Sequence, residues 1–277
     1  MNSPVVSIIV PCYNQGQYLA EALESILAQT NANWECVIVN DGGADATGSV
    51  AKNYLRKDSR FKYLYQENSG LSAARNAGIK NTSGQYILPL DADDKIGPEY
   101  IENVLNIFKT DENISLVYSQ AMYFGIKNER MPLRRFSYLE MLKENMIFCS
   151  SVFRREDFNV AGEYDENLRT GYEDWDLYIR LLNDESNVVQ LNDVHFFYRI
   201  KEKSMLTSID ETKQKQLNTY LYHKYHDIYE RYFDDPIKLI RKTELYEKLY
   251  KNSPDYKLGN LVLCPFRKLL NIVRKRK

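Results

Sequence analysis

The strongest constraint on this 277-residue chain is the alternation of apolar runs with amphipathic segments across its first hundred residues. Residues 5–10 form a largely apolar run, which is typical of a parallel strand covered on both faces. Apolar residues then recur between Leu19 and Leu27 with the helical period of about 3.6 residues. Further strands are predicted at 35–39, 61–65 and 86–90, and a helix at 70–80 with Ser69 as a candidate cap. This order predicts an α/β fold with a mostly parallel, Rossmann-like central sheet, right-handed crossovers and flanking helices.

The regular alternation weakens after about residue 96. Strands are predicted at 115–124 and 146–153, helices at 98–109 and 174–182, and a strand pair within 188–199. After Ser208 the sequence becomes charged, rich in tyrosine and helical in pattern, which predicts a helical C-terminal extension. We therefore expect one domain built from two halves, residues 1–95 and 96–207, followed by the extension at 208–277.

Polar residues follow three of the predicted strands where those strands end. Residues 11–14 follow the first strand, 40–42 the second, and 91–93 the fourth. In open parallel sheets, ligands bind beyond the carboxyl ends of the strands, so these stretches are expected to meet at one edge. Their convergence predicts a binding site at that edge of the sheet.

The most distinctive of these stretches places three carboxylates in four residues, at Asp91, Asp93 and Asp94. Neighbouring carboxylates repel one another and resist ionising together, and a divalent cation removes that repulsion. In an extended segment Asp91 and Asp93 point the same way, so both could approach one ion. Hard oxygen ligands suit Mg²⁺ or Mn²⁺ better than zinc. The alternative is a structural role, with these aspartates capping a helix that begins near Gly97.

Two further polar positions have both functional and structural interpretations. Asp41 precedes two glycines, so its carboxylate is a candidate ligand for a base or ribose, or part of an ordinary Asp-Gly turn. Arg75 lies in a predicted helix rich in alanine and glycine, which would pack closely on the sheet. Its guanidinium is a candidate partner for an aspartate or a phosphate, and the alternative is a surface arginine.

Another acidic pair, Glu173-Asp174, begins a predicted helix. Capping and the helix macrodipole give these acids a simple structural explanation. The same environment keeps a carboxylate ionised near neutral pH, as a general base requires.

Charge and composition exclude several classes of protein. The net charge of −1 gives no reason to expect nucleic-acid binding. The four cysteines are scattered without a CxxC pair, which argues against a zinc site or a disulfide framework. We find neither a signal peptide nor an apolar run of the roughly 20 residues that span a bilayer, so a cytosolic location is expected.

Taken together, these stretches resemble the family 2 glycosyltransferases, which are inverting enzymes of the GT-A fold. The motifs that carry the resemblance lie at residues 6–14, 39–42, 66–77, 90–94 and 171–176. They occur in the order and spacing of the family across about residues 5–205. The resemblance implies that residues 1–95 bind a nucleotide sugar and that 96–207 bind the acceptor.

The resemblance also implies roles for individual residues. It implies that the nucleotide sugar is bound by Pro11, Tyr13, Asn14, Asp41, Asn68, Arg75, Asp91 and Ala92. Among these, Asp41 would read the base, usually uracil, and Asp91 would approach the ribose or the sugar. Asp93 would hold the Mn²⁺ or Mg²⁺ ion that bridges the two phosphates. Asp174 would be the catalytic base, with Glu173 and Trp175 beside it on the acceptor side.

The chain departs from the family pattern at one position. Many relatives carry a histidine shortly after a Tyr-Arg pair, where it helps to bind the metal or the diphosphate. Here Lys201 stands at that place. A charged lysine cannot ligate a cation but can contact phosphate, so Lys201 is a candidate for the diphosphate site or a plain surface residue.

The resemblance predicts transfer from a nucleoside diphosphate sugar, with UDP favoured, to a saccharide or lipid-linked saccharide acceptor. The alternatives are a non-catalytic nucleotide-sugar-binding protein or a sugar nucleotidyltransferase, although no glycine-rich phosphate loop follows the first strand. A nicotinamide-dependent dehydrogenase would need a GxGxxG motif, which is absent. At the C-terminus, residues 266–277 form a basic amphipathic pattern, which predicts either peripheral contact with an anionic membrane or a helix docked on the body.

Overall fold

The structure, a computed structural model, describes residues 5–202, 210–233 and 235–259. The chain divides into two compact units, with the boundary between Leu221 and Tyr222. The basic pattern predicted at 266–277 lies outside the described residues.

The first part of the larger unit alternates strand and helix as predicted. Its elements are β1 (Val6–Cys12), α1 (Gly16–Leu27), β2 (Trp34–Asp41), α2 (Thr47–Lys57), β3 (Phe61–Gln66), α3 (Leu71–Lys80) and β4 (Tyr86–Pro89). These strands pair in parallel in the order β3-β2-β1-β4. Every residue of β1 and β2 is buried, because helices cover both faces of the sheet. The predicted α/β fold is confirmed.

Small residues allow α3 to lie close against the sheet. A Cβ atom added at Gly78 would lie 2.5 Å from the Cγ2 atom of Ile9 in β1. The predicted cap of this helix is wrong, because Gly70 with φ of 94° occupies the N-cap position and no side chain caps the helix. The Ser69 hydroxyl donates instead to the Glu67 carbonyl.

The second part of this unit extends the same sheet with mixed pairing. Its elements are β5 (Lys95–Ile96), α4 (Tyr100–Thr110), β6 (Ile114–Gly125), β7 (Glu129–Arg130), α5 (Tyr138–Met141), β8 (Val152–Arg154), α6 (Arg155–Ala161), α7 (Glu173–Leu181) and β9 (Asn187–Ile200). The sheet continues from β4 through β8, β6 and β9 to β5, and β7 pairs with β6.

Two strand predictions in this part are wrong. The strand predicted at 146–153 is limited to β8, since the Tyr178 hydroxyl lies within donating distance of the carbonyls of Phe148 and Cys149. The strand pair predicted within 188–199 is the single strand β9. Its polar 192–193 segment falls at a register shift opposite β6, so that segment forms an irregularity rather than a hairpin.

Within the described residues 210–233 and 235–259, the C-terminal region is helical, as predicted. Helix α8 (Glu211–Lys224) crosses the boundary between the units, and the second unit contains α9 (His226–Tyr232) and α10 (Pro236–Asn252). Among the described residues, the structure contains no helix with the length and apolar character needed to cross a bilayer.

Candidate active site

A buried arginine joins two of the predicted acidic segments. The Arg75 guanidinium donates from Nη2 to Asp91 Oδ1 at 2.7 Å and from Nη1 to Glu173 Oε1 at 2.8 Å. Its side chain is fully buried. Burial opposes the charge, but Asp91 and Glu173 outweigh it and hold the pKa of Arg75 well above its ordinary value. The surface-arginine alternative is therefore excluded, and the predicted pairing with an aspartate is observed as a single hydrogen bond rather than a forked pair.

This contact brings three distant parts of the sequence together. Arg75 comes from α3, Asp91 from the loop after β4, and Glu173 from the first turn of α7. One cation serves two carboxylates, so its removal would leave both acids without their charged partner. The acidic loop and the start of α7 are thus held beside each other by a single side chain.

The acidic loop is a turn rather than an extended segment. The Asp94 backbone N–H donates to the Asp91 carbonyl at 3.0 Å, which closes a four-residue turn. The extended backbone from which we expected Asp91 and Asp93 to point the same way is therefore absent. The capping alternative also fails, because α4 begins only at Tyr100 with Glu99 at its N-cap position.

Each acid of the loop has a different partner. Asp91 accepts from Arg75 and from the Cys149 thiol, at 3.4 Å for the latter. Asp94 is buried and accepts from the Arg199 backbone N–H at 2.8 Å. Burial, followed by the charges of Asp93 and Asp91, raises the pKa of Asp94 well above its ordinary value.

Asp93 is paired with a cation that directly follows β9. Its carboxylate contacts the Lys201 ammonium, which also donates to Gln15 Oε1 at 3.2 Å. The side chains of Asp93 and Lys201 are only 19% and 12% exposed. Lys201 is therefore not a plain surface residue, and its charge lies directly on the predicted metal-binding carboxylate.

Asp174 lies in the first turn of α7, immediately after Tyr172 and Glu173. Tyr172 adopts a left-handed backbone conformation with φ of 70° and turns the chain into the helix. Asp174 Oδ1 accepts from the Trp175 backbone N–H at 2.7 Å. Burial and then the charge of Glu173 raise the pKa of Asp174 to about 7, although Arg75 and hydrogen bonds oppose this shift.

The direction of that shift differs from the sequence-based expectation. We expected the helix N-terminus to keep Asp174 ionised near neutral pH, but burial beside a second carboxylate outweighs the macrodipole and raises its pKa to about 7. A carboxylate with a pKa near 7 can both accept and release a proton at neutral pH.

Asp41 organises the loop that leads into α3. Its Oδ1 atom accepts from Gln66 Nε2 at 2.7 Å and from the Ser69 N–H at 2.9 Å, and its Oδ2 atom accepts from the Gly70 N–H at 2.9 Å. Three of the roughly four acceptor positions of the carboxylate are therefore used within the protein. The Asn68 amide also donates to the Asp41 carbonyl at 3.2 Å, so both residues shape this loop.

The remaining predicted site residues differ in exposure. Pro11 is buried at the end of β1, and Ala92 is buried in the acidic turn. Asn14 has φ of 52° and accepts from the Ala44 N–H at 3.1 Å, whereas the Tyr13 side chain is 50% exposed. The Trp175 indole donates to the Met141 carbonyl at 2.6 Å, which anchors α7 rather than presenting the ring to solvent.

Sequence reasoning did not identify Gln15, Cys149 or Arg199 as parts of this site. Arg199 donates from Nε to the Asp93 carbonyl at 2.8 Å, in addition to its backbone bond to Asp94. Arg199 lies in β9 and Lys201 directly follows that strand, so the period of two in an extended chain places both side chains on the same side. That spacing was a usable signal, since both residues reach the acidic turn.

Comparisons with known proteins agree with this architecture. A family model described as Glycosyl transferase family 2 matches residues 7–167. An uncharacterized glycosyltransferase of Rickettsia typhi is 33% identical over 76% of this chain and 66% of its own length. The minor teichoic acid biosynthesis protein GgaB of Bacillus subtilis is 32% identical over 71% of this chain and 23% of its own length. The chain thus spans less than two thirds of the length of these curated relatives.

Solved structures share the fold at low identity. TarS of S. aureus in complex with UDP-GlcNAc is 19% identical, with a TM-score of 0.64, over 78% of this chain and 66% of that chain. The mannosyltransferase PcManGT of Pyrobaculum calidifontis, in complex with GDP-Man and Mn²⁺, is 16% identical. It aligns with a TM-score of 0.65 over 99% of this chain and 81% of that chain. These likenesses establish the GT-A type of fold.

Proposed function

This chain belongs to glycosyltransferase family 2, and on that premise we propose that it transfers a sugar from a nucleoside diphosphate sugar to an acceptor hydroxyl with inversion. The observation that carries the proposal is the Arg75 bridge between Asp91 and Glu173. It holds the acidic turn beside the helix that bears Asp174. This contact supports the proposal that the metal-binding carboxylate and the proton-accepting carboxylate belong to one site.

On the donor side, we assign Asp93 as the ligand of a divalent cation, Mn²⁺ or Mg²⁺. The donor set fits such an ion, because Asp93 and Gln15 are hard oxygen donors that already share one cation, the Lys201 ammonium. Mg²⁺ is commonly held by one or two carboxylates together with substrate phosphates, so no closed protein cage is needed. When bound, the ion would neutralise the charge that develops on the departing diphosphate.

On the acceptor side, we assign Asp174 as the general base. Its pKa of about 7 allows it to take the proton of the attacking hydroxyl at neutral pH. Glu173 stays paired with Arg75, so Asp174 is the acid of this pair that is available for proton transfer. A single displacement at the anomeric carbon inverts its configuration.

We propose that residues 1–95 bind the nucleotide and that 96–207 bind the acceptor. The loop organised by Asp41 and Asn68 lies at the end of β2, and Asn14 and the exposed ring of Tyr13 follow β1. This edge is where open α/β sheets bind nucleotides. The UDP-GlcNAc complex of TarS and the GDP-Man complex of PcManGT, which have the same fold, support a nucleoside diphosphate sugar as donor, and we propose a uridine one.

For the acceptor we propose a saccharide or lipid-linked saccharide of a surface polymer, handled at the cytoplasmic side of the cell envelope. The similarity to a protein of minor teichoic acid biosynthesis supports this class. Membrane contact through residues 266–277 remains part of the proposal, and those residues lie outside the described structure.

The test is metal-dependent hydrolysis and transfer across a panel of UDP- and GDP-sugars. We expect one donor to be turned over by the wild type and by a Lys80→Met control, whose lysine pairs with Glu163 outside the site. Asp174→Asn should bind that donor without turning it over. If the wild type binds a nucleotide sugar but never releases its sugar, the chain is a non-catalytic binding protein and the proposal is wrong.

A further inference from the structure

The Lys201 ammonium occupies the place at which Asp93 would bind a metal ion. It contacts the Asp93 carboxylate, donates to Gln15 Oε1 at 3.2 Å and lies 5.2 Å from the centre of the Tyr18 ring. With the lysine side chain only 12% exposed, solvent screens this pair less than an ordinary surface ion pair.

The end of β9, which Lys201 directly follows, fixes the ammonium at this place. Two residues earlier, Arg199 bonds to the Asp94 carboxylate through its backbone N–H and to the Asp93 carbonyl through Nε. Its guanidinium lies 4.7 Å from the Tyr18 ring centre and 4.3 Å from that of Phe124. The acidic turn and the end of β9 therefore form one connected structure, and Lys201 extends from it towards Asp93.

A divalent ion and an ammonium group cannot share one carboxylate at close range without strong repulsion. We propose that Lys201 is an internal counter-cation, which keeps Asp93 closed to divalent ions until a diphosphate enters the site. The diphosphate carries enough negative charge to accept both cations, so Lys201 then moves from Asp93 to phosphate oxygen. This inference rests on the proposed function, since it takes Asp93 as the metal ligand.

The consequence is that metal and nucleotide bind with strong positive coupling. Free protein binds Mn²⁺ weakly, UDP raises that affinity, and by linkage Mn²⁺ raises the affinity for UDP by the same factor. Without the lysine, the Asp93 carboxylate is accessible to a divalent ion even when no nucleotide is bound. The nucleotide-free protein then gains metal affinity, and the coupling becomes smaller.

The experiment is a titration of full-length protein with Mn²⁺ in the absence of nucleotide, with free Mn²⁺ measured by electron paramagnetic resonance. We expect Lys201→Met to bind Mn²⁺ about tenfold more tightly than the wild type, the order expected when one charge contact on a carboxylate is removed. Lys201→Arg keeps the charge and should behave like the wild type, as should the remote Lys80→Met.

One exposed group needs a control. Among the described residues, His226, Asp227 and Glu230 form the only group of three or more His, Cys, Asp or Glu side chains whose ligand atoms lie close enough together to hold an ion. All variants are therefore compared in a His226→Ala background. The gain in Lys201→Met should disappear when Asp93→Asn is added, which assigns it to the Asp93 carboxylate.

Repeating the titration with saturating UDP completes the test. UDP should raise the Mn²⁺ affinity of the wild type strongly. The factor should be about tenfold smaller for Lys201→Met, because that variant already binds Mn²⁺ more tightly without UDP. Equal Mn²⁺ affinity of wild type and Lys201→Met without nucleotide would overturn the inference while leaving the metal assignment intact. If Asp93→Asn has no effect on Mn²⁺ binding with UDP, the metal assignment fails, and the inference fails with it.

Discussion

Replacing Asp174 with asparagine should stabilise the protein at alkaline pH while abolishing transfer. The folded state raises the pKa of this carboxyl from 3.8 to about 7. A shift of one unit corresponds to about 1.4 kcal/mol, so the ionised group destabilises the folded state by at most about 4 kcal/mol. The side chain is only partly buried, and solvent screening lowers this limit, so we expect about 2 kcal/mol at pH 8.

The pH dependence of the effect follows from the direction of the shift. The folded state binds this proton more tightly than the unfolded state, so the stability it contributes is complete below about pH 4. That contribution is lost as the pH rises from about 4 to 7. Asparagine resembles the protonated acid at all pH values. The stability difference between Asp174→Asn and wild type should therefore be near zero at pH 4 and largest above pH 7.

Urea unfolding at pH 5 and pH 8, together with donor binding by calorimetry and turnover, would measure this. A matched control is Asp176→Asn on the same helix, whose buried carboxylate accepts from Arg180 at 2.8 Å and should lose stability at both pH values. The reasoning is refuted if Asp174→Asn is less stable than wild type at pH 8 or retains transfer. Loss of donor affinity as severe as the loss of turnover would count against the base assignment.

Three further substitutions test the site and the fold. Arg75→Met removes the charged partner of two carboxylates and should lower the free energy of unfolding, measured in urea at pH 8, by about 3–5 kcal/mol. It should also abolish donor hydrolysis, and a stability loss below about 1 kcal/mol contradicts the bridge. Asp41→Ala removes the acceptor of three hydrogen bonds and should cost about 2 kcal/mol or more, with weaker UDP binding by calorimetry. If Asp41→Ala is as stable as the wild type, the loop that leads into α3 does not depend on the Asp41 carboxylate. Gly78→Ala should cost about 1–3 kcal/mol by overpacking against Ile9, and an unchanged melting temperature would show that α3 can move away from the sheet.

The first half of the fold was predictable because its signals are local. Apolar runs such as 5–10 and helical spacing such as 19–27 report burial directly, and the βαβ order then determines parallel pairing. Predictions failed where the backbone bonds to distant side chains. The Tyr178 hydroxyl approaches the carbonyls of Phe148 and Cys149, so no strand forms at 146–150, and no local pattern encodes that contact.

The composition of the candidate site was more predictable than its pairing. The acids and Arg75 stand out by type in the sequence, but the partner Glu173 lies 98 residues away along the chain. Likewise, Asp93 and Lys201 are separated by 108 residues, and only the tertiary structure shows that they pair. The acidic turn was misjudged because it was treated as extended, whereas the hydrogen bond from Asp94 to Asp91 closes it.

The charge balance of the site leads to a last prediction on the pH dependence of turnover. Among the described residues, the following charged side chains lie around the acidic turn and the start of α7: Asp91, Asp93, Asp94, Glu173, Asp174, Arg75, Arg199 and Lys201. Burial raises the pKa of Asp94 well above its ordinary value and that of Asp174 to about 7. A diphosphate together with a divalent ion adds roughly no net charge, so the complex should leave that pKa within about one unit. Both kcat and kcat/KM should therefore rise with pH through about 7, because the base must be ionised to accept a proton. If the pH profile of kcat is displaced from that of kcat/KM by more than about one pH unit, the bound donor and metal together carry a net charge near Asp174.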